Sequence, residues 1–369
     1  MAHPVYADHA ATTQLDTAAL SAMMPYLTDL YGNPSAPYAA ASAPKAALRQ
    51  ARQTIAACIG ADAQEIYFTS GGTEANNWAI KGVAATVAAS AIEHRSVLAP
   101  CAARKRQGHA VTYIPATAKG TVTAAALEEH LPPDVGLVSV MLANNELGTL
   151  QPVAELAAVA HRHGALFHTD AVAAIGHIPV DVKALGVDLL SASAHKFGGP
   201  KGVGFLYIKK GTSLLPLLDG GGQENGLRAG TENVAAIVGK AAALRSHDTH
   251  MEERRAHLSH LTARFLNGLQ AAGIPFIPNG GENTLPGLLS LTFPAIEAEV
   301  LLHRLDLLGI TVSAGAACHG TATTSSHVLQ AIGLAEEMAA STIRVSFGYT
   351  NTEEDVSALL SALQSIFTE

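Results

Sequence analysis

The chain reads as an α/β protein with a mostly parallel central sheet flanked by helices, plus a smaller C-terminal α+β domain. Three observations predict this. Short apolar runs alternate with helix-period stretches through the first two thirds of the chain, polar clusters follow several of those runs, and the texture changes beyond about Arg245. Strands alternating with helices imply a parallel sheet covered on both faces, and ligands then bind at the carboxyl ends of the strands, where the polar clusters sit. A length of 369 residues is too great for one small core.

Residues 39–59 are alanine-rich, with Leu48, Ile55 and Ile59 on one helical face. Residues 65–68 read as a short strand, and 69–77 as a turn that opens a helix. Further strands are expected at 89–92, 111–114, 136–142, 165–168, 187–190 and 203–208, with a helix over 153–163. Past Arg245, helices are expected over 251–272, 297–307 and 357–367, and a strand over 286–293. The expected division is a large domain over 13–245 and a small one formed by 1–12 with 246–369.

Hydrophobic residues make up 48% of the chain and charged residues 15%, as in a compact enzyme with much buried surface. The net charge of −8 and the lack of a Lys/Arg-rich run argue against a nucleic-acid surface. Three cysteines, Cys58, Cys101 and Cys318, cannot all pair and lack metal-site spacing, so no metal and a reducing, cytoplasmic setting are expected. Met1-Ala2-His3-Pro4 leads into a polar segment unlike a signal peptide. The longest apolar stretches fall short of the ~20 residues that span a membrane.

The most informative segment runs from Asp188 to Gly202: an apolar strand, small hydroxyl residues, the pair His195-Lys196, and a glycine-rich turn. A lysine at the mouth of such a strand is placed to form a Schiff base with an aldehyde cofactor. Upstream, Phe167-His168-Thr169-Asp170 ends another apolar run with a carboxylate. A Schiff-base lysine plus an aspartate for a pyridinium nitrogen is the pair pyridoxal 5'-phosphate needs. Ser70-Gly71-Gly72-Thr73 precedes a helix, so its backbone N–H groups and the Thr73 hydroxyl can hold a phosphate. It is not G-x-G-x-x-G, and no Walker lysine follows, which disfavours nucleotides.

His94 follows a strand, where it serves either as a half-buried ring bonded to the backbone or as a ring stacked on a cofactor. Asn144-Asn145-Glu146 either shapes a turn or lets Asn145 donate to the cofactor's phenolic oxygen. Residues 220–233 form a glycine-rich polar loop whose Arg228 and Thr231 can reach a neighbouring site. Cys318 lies among tiny and hydroxyl-bearing residues, the setting of an exposed loop and a nucleophilic thiol, whereas Cys58 and Cys101 read as buried and inert. Arg344, alone in an apolar run, suits bidentate capture of an amino-acid carboxylate.

Taken together, from Tyr6-Ala7-Asp8-His9-Ala10-Ala11-Thr12-Thr13 to Arg344, these clusters resemble the NifS/IscS-like cysteine desulfurases, class V members of the fold-type I pyridoxal-phosphate enzymes. The resemblance implies Lys196 as the Schiff-base lysine, Asp170 as the pyridinium partner, His94 as the stacking acid/base and Asn145 as a phenolate contact. Gly72, Thr73, Ser193 and His195 would hold the phosphate, with Thr231 supplied by the partner subunit of a homodimer. Arg344 matches the substrate-carboxylate arginine, with Asn145 and His9 near it, and Cys318 the cysteine that attacks the substrate's sulfur. The implied reaction takes L-cysteine to L-alanine and leaves a persulfide on Cys318 for a sulfur-acceptor protein.

Three positions depart from the family pattern: Ala173 for a usual Gln, Asn225 for a frequent Arg, and His9 for a frequent Asn. Residues 32–38 and 315–319 look instead like selenocysteine lyase, which would make L-selenocysteine the substrate and selenide a product. A third reading, prompted by Ala173, is a catalytically weak scaffold that keeps the cofactor.

Overall fold

The computed structural model describes residues 4–314 and 326–368. Its centre is a seven-stranded sheet. In order across it, the strands are Ile66–Thr69, Gly204–Ile208, Leu189–Ser193, Leu166–Asp170, Val135–Ser139, Thr86–Ser90 and Val111–Ile114. All run parallel except Gly204–Ile208, which is antiparallel to both neighbours. Every residue of Thr86–Ser90, Leu189–Ser193 and Gly204–Ile208 is buried. Strands covered on both faces carry continuous apolar runs rather than alternation, which is why they are legible as runs.

Boundaries moved where apolarity stops marking the strand. Two strands extend past the apolar run into Asp170 and into Ser191 and Ser193. These polar residues remain in the ladder because their side chains are bonded: the Ser191 hydroxyl pairs with His168 Nε2 at 2.9 Å, and Asp170 Oδ1 accepts from Val172 N–H at 2.9 Å. Near residue 90 the strand ends earlier, at Ser90, and the following residues form the approach to His94.

The helices Thr17–Thr28, Arg95–Arg106 and Val234–Thr249 carry weak sequence signals because they are rich in alanine or charge. Val234–Thr249 crosses residue 245 without a break. It buries Ile237 and Leu244 in the same cluster as Leu48 and Ile55 of Ser42–Cys58. Its Gly239 allows close approach of Thr17–Thr28: a Cβ there would stand 2.5 Å from Met23 Cγ.

A second, smaller unit has a four-stranded antiparallel sheet in the order Ser313–Ala314, Thr342–Ser346, Leu288–Thr292 and Ile277–Asn279. Helices Met251–Ala271, Ala298–Leu307 and Glu353–Thr368 cover it, with Phe265, Phe293, Phe347 and Leu363 in a core separate from the large sheet's. Val5 and Ala7 belong to this core, and Val5–Tyr6 pairs in parallel with Ile310–Thr311. The chain then crosses to the large sheet, where Thr13 N–H and Thr13 Oγ1 both donate to the His195 carbonyl at 2.9 Å. Among the described residues no helix is long and apolar enough to cross a membrane.

Candidate active site

The carboxyl ends of the parallel strands open into a cavity of about 350 Å³. Lys196 closes a single turn, Ala194–Lys196, that follows the strand Leu189–Ser193. Its Nζ donates to the carbonyls of Ala10 (2.5 Å) and Ala11 (2.8 Å), so the crossing N-terminal segment fixes the amine at the cavity wall. The turn itself is clamped: Thr13 Oγ1 accepts from Gly198 N–H at 2.8 Å, and His177 Nε2 bonds the Lys196 carbonyl at 2.8 Å.

Asp170 is 4% exposed at the end of the adjacent strand. Its Oδ1 accepts from Val172 N–H, and its Oδ2 accepts from Asn76 Nδ2 at 2.6 Å. The other Asn76 amide hydrogen goes to Ser96 Oγ at 2.8 Å. His94 caps the helix Arg95–Arg106: its Nδ1 accepts from Ser96 N–H at 3.1 Å and lies 2.7 Å from Ser96 Oγ. Burial pushes the His94 imidazole below its ordinary value, against the pull of Asp170.

Gly71 precedes the helix Gly72–Lys81 with φ +155°, a conformation left to glycine, and Gly72 and Thr73 begin that helix at the cavity wall. Ser193 lies directly beside them, 3.5 Å from where a Cβ at Gly72 would stand, and His195 lines the same cavity. The His195 ring is held by Thr12 Oγ1 at 3.1 Å and pushed down to about 4 by burial, with Lys196 and Lys201 adding to the effect. It is therefore neutral at neutral pH, and an anion here would rest on helix N–H groups and hydroxyls.

Arg344, which also lines the cavity, is 4% exposed. Its Nη2 donates to Asp8 Oδ1 at 2.8 Å and its Nη1 to the Asn145 carbonyl at 2.9 Å, while Nε has no partner among the described residues. The neighbouring Asn144 shapes the turn: its Oδ1 accepts from Glu146 and Leu147 N–H at 2.9 Å, leaving the Asn145 side chain at the cavity. Glu146 lines the same wall, pushed up to about 7 by burial despite its bond to Ser326 Oγ.

The cavity thus gathers Lys196, Asp170, His94, Asn145 and Arg344 with Gly72, Thr73, Ser193 and His195. One expected residue lies elsewhere: His9 packs edge-on against Tyr6 and close to Gly348, and does not line the cavity. Thr231, expected to serve the cavity of a partner subunit, is exposed and does not line this chain's own. Arg228 pairs with Glu74 of its own chain (Nε to Oε1, 2.8 Å). Cys318 and His319 lie outside the described residues.

Sequence reasoning missed Asn76, Ser96 and the Ala10 and Ala11 carbonyls. Asn76 stands four residues after Gly72 on the same helical face, which is a signal only once Gly72 is known to face a site. The arrangement fits pyridoxal phosphate: a buried carboxylate held by two donors, an amine on a strand-end turn, and a helix N-terminus between them. Asn76 Oδ1 in the cavity wall is also buried without a partner among the described residues. Cys58 and Cys101 are free thiols, both pushed up to about 12 by burial, and so are poor nucleophiles.

Comparison with known proteins agrees with this geometry. The model of the aminotransferase class-V family matches residues 5–359. A cysteine desulfurase IscS from Dictyoglomus turgidum is 44% identical over 374 residues, covering 99% of this chain and 95% of the relative. One from Methanosarcina thermophila is 43% identical over 369 residues, covering 98% and 91%. A solved NifS-like protein superimposes with a TM-score of 0.93 at 37% identity, covering 99% of this chain and 100% of that one.

Proposed function

The chain belongs to the class V aminotransferase family, and from that premise we propose that it is a pyridoxal-phosphate-dependent cysteine desulfurase converting L-cysteine to L-alanine, with Cys318 taking the sulfur. One observation carries this reading: the Lys196 amine, the Asp170 carboxylate and the Arg344 guanidinium face one small cavity. The substrate's C–S bond breaks, an S–S bond forms at Cys318 Sγ, and the β-carbon gains a hydrogen. The two thiol hydrogens end on alanine and on the persulfide, so no outside oxidant is needed.

When bound, pyridoxal phosphate supplies an aldehyde for the substrate's amine and a pyridinium that withdraws electrons as the α-proton leaves. Asp170, fixed by Val172 N–H and Asn76, would hold that ring's nitrogen. Gly72, Thr73, Ser193 and His195 would take the phosphate. Lys196 would carry the cofactor and, as a free amine, would be the base for the α-proton. Arg344, already fastened to Asp8 and the Asn145 carbonyl, turns its remaining N–H groups to the substrate carboxylate. His94, in the same cavity wall, would cover the ring.

A homodimer in a reducing, cytoplasmic setting accompanies this reading, with the division into domains at 13–245 and at 1–12 plus 246–369. The separate core around Phe265 and Phe347 supports a small unit built from both chain ends, while the helix Val234–Thr249, which crosses residue 245, packs with the large one. The helix Thr17–Thr28 leaves Leu20, Met24 and Leu27 exposed at i, i+4 and i+7, an apolar stripe suited to a second copy. Thr231 is exposed, as a residue serving the partner's cavity must be.

The test is alanine formation by the cofactor-loaded protein given L-cysteine or L-selenocysteine, beside Cys318→Ala, with the mass in solution measured on the same sample. Cysteine turnover that vanishes in Cys318→Ala is expected. Turnover of selenocysteine alone would make the protein a lyase. Turnover of neither, with the cofactor bound, would leave a scaffold.

A further inference from the structure

Two residues that no motif singles out connect Asp170 to His94. We propose that Asn76 and Ser96 are positioning residues that hold His94 as the neutral imidazole with its hydrogen on Nε2, a fixed donor to the cavity rather than a proton-shuttling base. The consequence for turnover rests on reading this cavity as the reaction site; the tautomer itself does not.

The hydrogens can be assigned in turn. Asp170 Oδ2 is 2.6 Å from the Asn76 amide, so the NH2 group faces the carboxylate; a flipped amide would oppose two oxygens. The second Asn76 hydrogen points at Ser96 Oγ, which accepts it. The only hydrogen of the Ser96 hydroxyl is then free for His94 Nδ1 at 2.7 Å. The main-chain N–H of Ser96, whose direction is set by the helix, also points at Nδ1. A hydrogen on Nδ1 would meet that N–H head-on, so the ring's hydrogen is on Nε2.

Protonating Nδ1 would cost both Ser96 bonds, and losing the Nε2 hydrogen would leave an anionic ring. His94 therefore orients what it touches, and proton transfer falls to Lys196. Other groups bear on its charge: Asp170 favours an added proton, while Lys196 and Arg95 oppose one, as burial does most. Its neighbour Glu93 is pushed up to about 8 by burial and is uncharged near neutral pH. His195, His327, Glu146 and Arg344 line the same cavity.

The test is a long-range 1H–15N spectrum of the cofactor-loaded, histidine-labelled enzyme, with the His94 signals identified by their loss in His94→Gln. The Nε2–H tautomer is expected from about pH 6 to 8. Removing one neutral donor in Ser96→Ala should raise the His94 protonation midpoint by about half to one pH unit, and Ser96→Thr should restore it. A hydrogen on Nδ1 or a charged ring in the wild-type enzyme would overturn the proposal, as would a folded Ser96→Ala that titrates like the wild type. If Ser96→Ala does not fold, the wild-type spectrum alone decides. Absence of cysteine turnover alongside the expected tautomer would sink the functional reading and leave this one standing.

Discussion

Arg344 shows what a single residue contributes at this site. A guanidinium buried to 4% exposure is paired with Asp8 at 2.8 Å and gives a second hydrogen to the Asn145 carbonyl. That fixes its plane before substrate arrives, so less side-chain freedom is lost on binding. Lysine would keep the charge and lose the plane. Arg344→Lys should raise KM for L-cysteine by about ten- to a hundredfold, the equivalent of about 1.5–3 kcal/mol for a charge-assisted bond, with a smaller change in kcat. Steady-state kinetics with intact cofactor absorbance would check this, and an unchanged KM would remove Arg344 from carboxylate binding. The type and spacing of Arg344 are legible in the sequence. Its Asp8 partner, 336 residues away, is not.

At the scale of elements, the helix Gly72–Lys81 faces the cavity through its first residues and presses on the segment after Asp170. A Cβ at Gly72 would stand 2.6 Å from Val172 Cγ2, and Val172 supplies the N–H that holds Asp170 Oδ1. Gly72→Ala should push Val172 and loosen Asp170. The expected result is pyridoxal-phosphate affinity about ten- to a hundredfold lower, with a stability loss of about 1–3 kcal/mol from overpacking. Cofactor titration together with thermal denaturation would show it. Full affinity would mean that Val172 gives way without moving Asp170. From the sequence, the glycine turn and the helix start can be read in place. The strand before it and those ending at Asp170 and Ser193 are also visible, but with ends off by one to three residues. Apolarity stops marking a strand where polar side chains find partners, as Ser191 does with His168.

Across the whole molecule, buried histidines set the acid limit of stability. Burial pushes His9 and His195 down to about 4 and His168 and His247 to about 3. Between about 6.5 and those values the unfolded chain binds protons that the native chain refuses, so stability is lost as pH falls through this window. Glu93 and Glu146, raised by burial to about 8 and about 7, act the other way. The native chain holds protons that the unfolded chain has released, and stability drains as pH rises from about 4.5 toward 8. Thermal unfolding of the loaded enzyme should therefore peak near pH 6–7. Glu93→Gln should flatten the alkaline limb, and an unaltered limb would show that Glu93 is ionised in the native state. Buried histidines are countable in a sequence only as histidines; their depth comes from packing.

The sequence by itself determined the α/β class, the Lys196–Asp170 pair, the glycine turn at the helix start and the arginine in its apolar strand. Each is a local pattern, set by side-chain period or by the chemistry of neighbouring residues. Only the tertiary structure decided that His9 turns away from the cavity, that the Ala10 and Ala11 carbonyls hold Lys196, and that Asn76 and Ser96 connect Asp170 to His94. The bonds made by Lys196 and by Asn76 join residues that lie 20 to 186 positions apart, and hydrogen-bond direction depends on where a side chain lands after the sheet has formed, which residue type alone does not encode.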